Sequence, residues 1–167
     1  MDAALREFSR WLEATSLSHT IQAAGWVIPA LQTIHILSVA VVFSSAVLVD
    51  FRILRLFERD LPLREVALRF LPSIWPVLVI LLVTGGLLIV AEPRRSLLNS
   101  TFYLKMVLLV AAIALTAALQ GSIAAAPAFW EKEKGRRTAS KALAMVSIVL
   151  WCGILFAGRF IAYTQAG

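Results

Sequence analysis

"PALQTIHILSVAVVFSSAVLV", residues 29–49, contains no Asp, Glu, Lys or Arg, and its one titratable side chain is His35. An uncharged apolar run longer than about 18 residues, wound at 1.5 Å per residue, covers the ~30 Å hydrocarbon layer of a bilayer. The stretch therefore reads as a membrane span. Residues 72–91, 102–126 and 142–163 have the same character, and the only charges inside the four runs are Lys105 and Arg159. A membrane barrel would instead alternate apolar and polar residues in segments of about ten, and no such alternation occurs. The fold predicted is an all-α integral membrane four-helix bundle, one membrane domain over residues 1–167. Its 60% hydrophobic content against about 45–50% in soluble domains agrees.

The first residues, "MDAALREFSRWLEATSLS", mix acidic with basic side chains and lack an uninterrupted apolar core, unlike a cleaved signal peptide. Leu5, Phe8, Trp11 and Leu12 fall near one helical face. That pattern predicts an N-terminal interfacial amphipathic helix over about residues 3–18, the alternative being a short helix packed on a neighbouring subunit. Cys152 is the single cysteine and lies in the fourth span, so an internal disulfide is excluded.

A net charge of +6 raises the question of nucleic acid, but the basic residues are sorted by position along the chain. Arg52, Arg55, Arg59, Arg64 and Arg69 lie between the first and second spans. Lys132, Lys134, Arg136, Arg137 and Lys141 lie between the third and fourth. Loops rich in Lys and Arg stay cytoplasmic, which makes both termini and the loop "AEPRRSLLNST" external, with Arg94 and Arg95 against the trend. The partner expected is the lipid bilayer, with no nucleic acid.

Pro29 suits the first turn of a helix, where its missing N–H has no partner to lose, and Gly25 offers a bend before it. Pro62 and Pro72 read as helix openers, Pro76 as a kink in the second span, and Gly85–Gly86 as a point of close helix approach. The Ala-rich third span is expected to be the central contact of the bundle or the contact of a homo-oligomer.

Ionisable groups in hydrocarbon cost a few kcal/mol and mark sites by default. His35 is roughly 9 Å inside its span, and Lys105 and Arg159 are each roughly 5–6 Å inside theirs, all from the external side. Gln32 shares a face with His35. Lys105, Ala112, Thr116 and Gln120 share one stripe, and Trp151, Leu155, Arg159 and Tyr163 another. His19, Glu92, Asn99 and Tyr103 border the group. Cations this close to span ends also snorkel to headgroups, and Glu92 is placed to pair with one of them.

An imidazole between helices with cations and a tyrosine nearby is the donor set that holds haem: a nitrogen for the iron, and charges for the propionates. The expected cofactor is haem b, bound by His35, His19, Lys105, Arg159, Trp151 and Tyr103, with His35 and His19 as candidate metal ligands. On a continuous helix the two histidines would be about 24 Å apart, so His19 takes part only if the chain folds back near Gly25–Pro29. Otherwise the second position is open, or filled by Met106 or a second subunit. Copper is a weaker expectation, as two histidines without a thiolate or methionine cluster give few soft ligands. A proton relay through His35 needs no cofactor. No phosphate-binding glycine loop, CxxC or HExxH is present.

Three stretches, "TIHILSVAVVFSSAVLVDFRIL", "NSTFYLKM" and "WCGILFAGRFIAY", together resemble a family of small four-span bacterial membrane proteins of unknown function. The matching positions are His35, Asp50, Arg52, Asn99, Phe102, Lys105, Trp151, Gly158 and Arg159; His19 lies outside them. The family is similar in layout to b-type cytochromes and to copper-resistance-type membrane proteins. The resemblance implies a bacterial inner membrane protein, and with the charge sorting above its termini are expected to be periplasmic. The function expected is a cytochrome-like electron-transfer protein or oxidoreductase subunit with a redox partner. The alternative is a non-catalytic channel, a transporter of protons, ions or copper, or a scaffold.

Overall fold

The computed structural model describes residues 3–57, 60–125, 134–161 and 163, the side chains of residues 134–137 excepted. All regular structure among them is helical: α1 (Ala3–Glu13), α2 (Ser16–Ala23), α3 (Val27–Ile53), α4 (Leu63–Phe70), α5 (Ile74–Ala91), α6 (Pro93–Leu97), α7 (Ser100–Ala125) and α8 (Lys134–Phe160), with a 3-10 turn at Leu71–Ser73. Four helical stretches, Val27–Ile53, Leu63–Ala91, Ser100–Ala125 and Thr138–Phe160, are long and apolar enough to cross a membrane. Arg59 and the basic-loop residues 126–133 lie outside the described residues.

The expected helix over residues 3–18 is broken in two. Thr15 is the reason: its hydroxyl donates to the Leu12 carbonyl at 2.7 Å and accepts the Ser18 N–H at 3.3 Å. It closes α1 and caps α2 at once. α1 packs on α6, and α2 lies against the end of α5. There the Gln22 amide donates to Ala91 O at 2.8 Å and to Ser18 Oγ at 3.0 Å. Ala91 ends α5, so Gln22 satisfies a carbonyl the helix itself cannot. Phe8 and Trp11 stack at 5.7 Å between centroids and remain exposed.

α3 starts two residues before Pro29, which falls within its first turn. It ends in a Schellman turn, with Leu56 N bonded to Phe51 O at 2.8 Å and Arg55 N to Arg52 O at 3.1 Å. Arg55 occupies the left-handed position usual for glycine, with φ 63°. The Arg52 guanidinium donates from Nε and Nη2 to the Leu61 carbonyl and so fastens the following loop to the helix end. Pro72 sits in the 3-10 turn and Pro76 in the first turn of α5, so α5 opens with prolines instead of kinking at one.

α3 packs along α5 and α8, and α8 packs along α7. The centre of the bundle is thus α3 and α8, not the third span. α7 turns Ala112, Thr116, Leu119 and Ile123 inward. α8 turns Ala144, Ser147, Trp151, Ile154 and Ala157 inward, and Ser38, Val42, Ala46 and Val49 of α3 join them in the interior. Spacings of three and four place each set on one face. Small side chains, among them Ala112 and Ala144 with no exposed surface, let the helices approach closely. α5 and α7 do not pack along each other and are joined by Trp75 Nε1 donating to Gln120 Oε1 at 2.8 Å. Both keep exposed apolar flanks, including Val79, Leu82 and Val83 on α5 and Leu104, Val107 and Val110 on α7.

Candidate functional site

His35 is on α3, half-buried against α5. Its Nδ1 is 2.9 Å from Thr84 Oγ1, and Thr84 Oγ1 is 2.7 Å from the carbonyl oxygen of Ile80, one turn back on α5. A hydroxyl has one proton to give. Thr84 gives it to Ile80 O, as buried threonines in helices do, so toward the ring it can only accept. Nδ1 is therefore the protonated nitrogen of His35, and Nε2 has the free lone pair. Gly85 makes the placement possible: a Cβ there would come within 3.3 Å of His35 Cε1, tighter than ordinary van der Waals contact allows.

Lys105 belongs to the same end of the bundle. Its stem crosses Gly158 of α8, with Nζ 3.7 Å and Cε 3.8 Å from where a Gly158 Cβ would stand. Asn99, buried ahead of α7, accepts from Thr101 N at 2.9 Å and caps that helix. Its Nδ2 reaches the Ile161 carbonyl at 3.4 Å, tying the start of α7 to the end of α8.

The other expected site residues lie elsewhere. Arg159 is exposed, its guanidinium 5.1 Å over the Tyr163 ring and its Nη2 donating to Tyr163 Oη at 2.8 Å. It is one residue from the end of α8, and its long side chain runs to the helix terminus, not inward. Tyr103 is also exposed and donates to Leu97 O at 2.9 Å. His19 is exposed on α2; the chain does bend between Ala24 and Trp26, but the fold-back brings α2 to α5 through Gln22, not through His19. Trp151 is buried, with its Nε1 unpartnered. Glu92 pairs with Arg95 at 2.9 Å, not with Lys105 or Arg159. Among the described residues no group of three or more His, Cys, Asp or Glu is placed to hold a metal ion.

Two features stood out less in the sequence. Thr84, the residue that orients His35, was visible only as a lone hydroxyl beside Gly85–Gly86 in an apolar run. Asp50, at the other end of α3, is 2% exposed and lies beside Ser147 of α8; in the sequence it looks like a loop residue just past the span.

The arrangement defines a class of protein: a small all-α bundle of four apolar helices, long enough to cross a membrane, with isolated polar groups on their facing sides. Residues 8–164 match the family of unknown function DUF6644, and the chain belongs to that family. No curated protein and no solved structure shows significant similarity to it.

Proposed function

We propose that this protein is a membrane-embedded, b-type cytochrome-like electron-transfer protein or oxidoreductase subunit of the bacterial inner membrane. In this reading both termini are periplasmic, haem is bound near the outer face, and lipid covers the flanks of α5 and α7. The observation that carries the proposal is the His35–Thr84 hydrogen bond. A histidine that ligates iron donates its other N–H to a fixed acceptor, which sets tautomer and ring orientation. His35 has that arrangement before any ligand arrives, with Nε2 unprotonated and the ring seated over Gly85.

His35 would supply a nitrogen donor to the iron, Thr84 would hold the ring, and Lys105 would neutralise a propionate. Arg159 and Tyr103 sit at the same end but point outward, and His19 has no part in the proposal. Bound haem would supply one-electron chemistry; the chain's own contribution is a nitrogen donor, a cation and a water-poor surrounding.

The test is an ultraviolet–visible spectrum of the detergent-purified chain from haem-replete cells, oxidised and then reduced. A Soret band present in the parent and lost in His35→Ala is the expected result. A colourless parent protein ends the proposal.

A further inference from the structure

Among the described residues, three buried side-chain polar atoms have no hydrogen-bond partner: Asp50 Oδ2, Thr116 Oγ1 and Trp151 Nε1. Their residues are 2%, 4% and 3% exposed. An unsatisfied buried polar atom costs about 1–3 kcal/mol, and more when charged, so three in one bundle require an account.

Helix register sets them near one level of the bundle. Lys105 of α7 lies against Gly158 of α8. Thr116 is eleven residues further along α7 and Ser147 eleven residues back along the oppositely directed α8, so both sit about 16 Å from that contact. Ser147 lies beside the Asp50 carboxyl, which brings α3 to the same level. Trp151 is one turn from Ser147 toward the His35 end. One layer of the interior thus contains a carboxyl oxygen and a hydroxyl oxygen without hydrogen-bond partners, beside a second hydroxyl. No Lys or Arg among the described side chains pairs with Asp50.

We propose that Asp50, Thr116 and Ser147 form a buried site for a small monovalent cation of the sodium class. When ionised, a carboxyl held in an apolar interior needs an opposite charge, and one carboxylate balances one positive charge, whereas a divalent ion would leave an excess. Carboxylate and hydroxyl oxygens are hard donors, suited to an alkali cation and not to copper or zinc. The Trp151 N–H cannot ligate a cation, but it can hold a water that completes the shell. The site is independent of the haem reading, since it uses none of the residues around His35.

The test is equilibrium dialysis of the purified full chain in detergent against 22Na+, with choline as the inert counter-cation. Saturable binding of about one ion per chain is expected. Asp50→Asn, which keeps the shape and removes the charge, should abolish it. Thr116→Val should weaken it roughly tenfold, the loss of one oxygen contact, while the distant Arg159→Gln should leave it unchanged. Circular dichroism and monodisperse elution check the fold of each variant. If Asp50→Asn does not fold, the parent and Thr116→Val carry the test. Absence of saturable 22Na+ binding in the folded parent overturns the proposal; so does binding unchanged in folded Asp50→Asn or in folded Thr116→Val. The presence or absence of a Soret band has no bearing on these outcomes.

Discussion

At the His35 end of the bundle, each proton around the imidazole has a destination within the protein. At the Asp50 end, three buried polar atoms have none. Both layers place a titratable group on α3 against another helix. The first resolves its hydrogen bonds internally and leaves one lone pair, Nε2, facing outward from the network. The second leaves several oxygens open at once. A single free nitrogen suits a single strong bond to a metal centre, whereas a set of open oxygens suits a weakly held ion with several ligands. Unmet hydrogen-bonding capacity is thus as informative as the residue types themselves, because burial makes leaving it unmet costly.

The largest effect expected from a single change lies between the two layers. Trp151→Ala removes the most voluminous interior side chain of α8, a deletion worth about 3–5 kcal/mol in protein cores, through the dispersion contacts it forfeits. A fall of many degrees in the detergent unfolding temperature is expected, and an unchanged temperature would mean that the layers are not joined by a packed core. Ala112→Leu comes next. It inserts bulk where no surface is exposed, costing about 1–3 kcal/mol as overpacking, read as a smaller fall in the same transition.

Thr84→Val is the change that sharpens the contrast at the His35 end alone. It keeps the shape and removes the acceptor for Nδ1–H, so ligand affinity at His35 should drop about 10–100-fold, measured by haem titration, with 22Na+ binding intact. Arg159→Gln gives the smallest effect, within about 0.5 kcal/mol as for surface changes generally. A strong effect of this variant on haem binding would return Arg159 to the site and undo the separation drawn between Lys105 and Arg159.

Much of the architecture was legible before the structure because membrane spans depend on length and apolarity, which are one-dimensional properties. The four runs reappear as α3, α5, α7 and α8 with ends moved by a few residues, the largest shift being the start of α8 at Lys134 instead of 142. Which helices form the centre was not legible. All four are apolar on every side, so composition names no inward face, and the Ala-rich third span drew attention that belonged to α3. At the candidate site, His35 and Lys105 could be associated by depth, yet depth says nothing about direction around a helix. Arg159 shares their level and faces away. Asp50 stood among the motif positions, but its burial was not legible, since a charge at the edge of an apolar run reads as the start of a loop until Ser147 of a distant segment is found beside it.

Gln22 repays a final thought. Both hydrogens of its side-chain amide are spoken for, one by Ala91 O and one by Ser18 Oγ, and neither receptor is in the same helix turn as the other. Glutamate in its place would keep the outline and invert the polarity, setting a bare carboxylate against the Ala91 carbonyl. The first two helices would then have lost their clasp, and trypsin, given Arg6 and Arg10 as cutting points, would report the loosened arm long before the apolar core noticed the change.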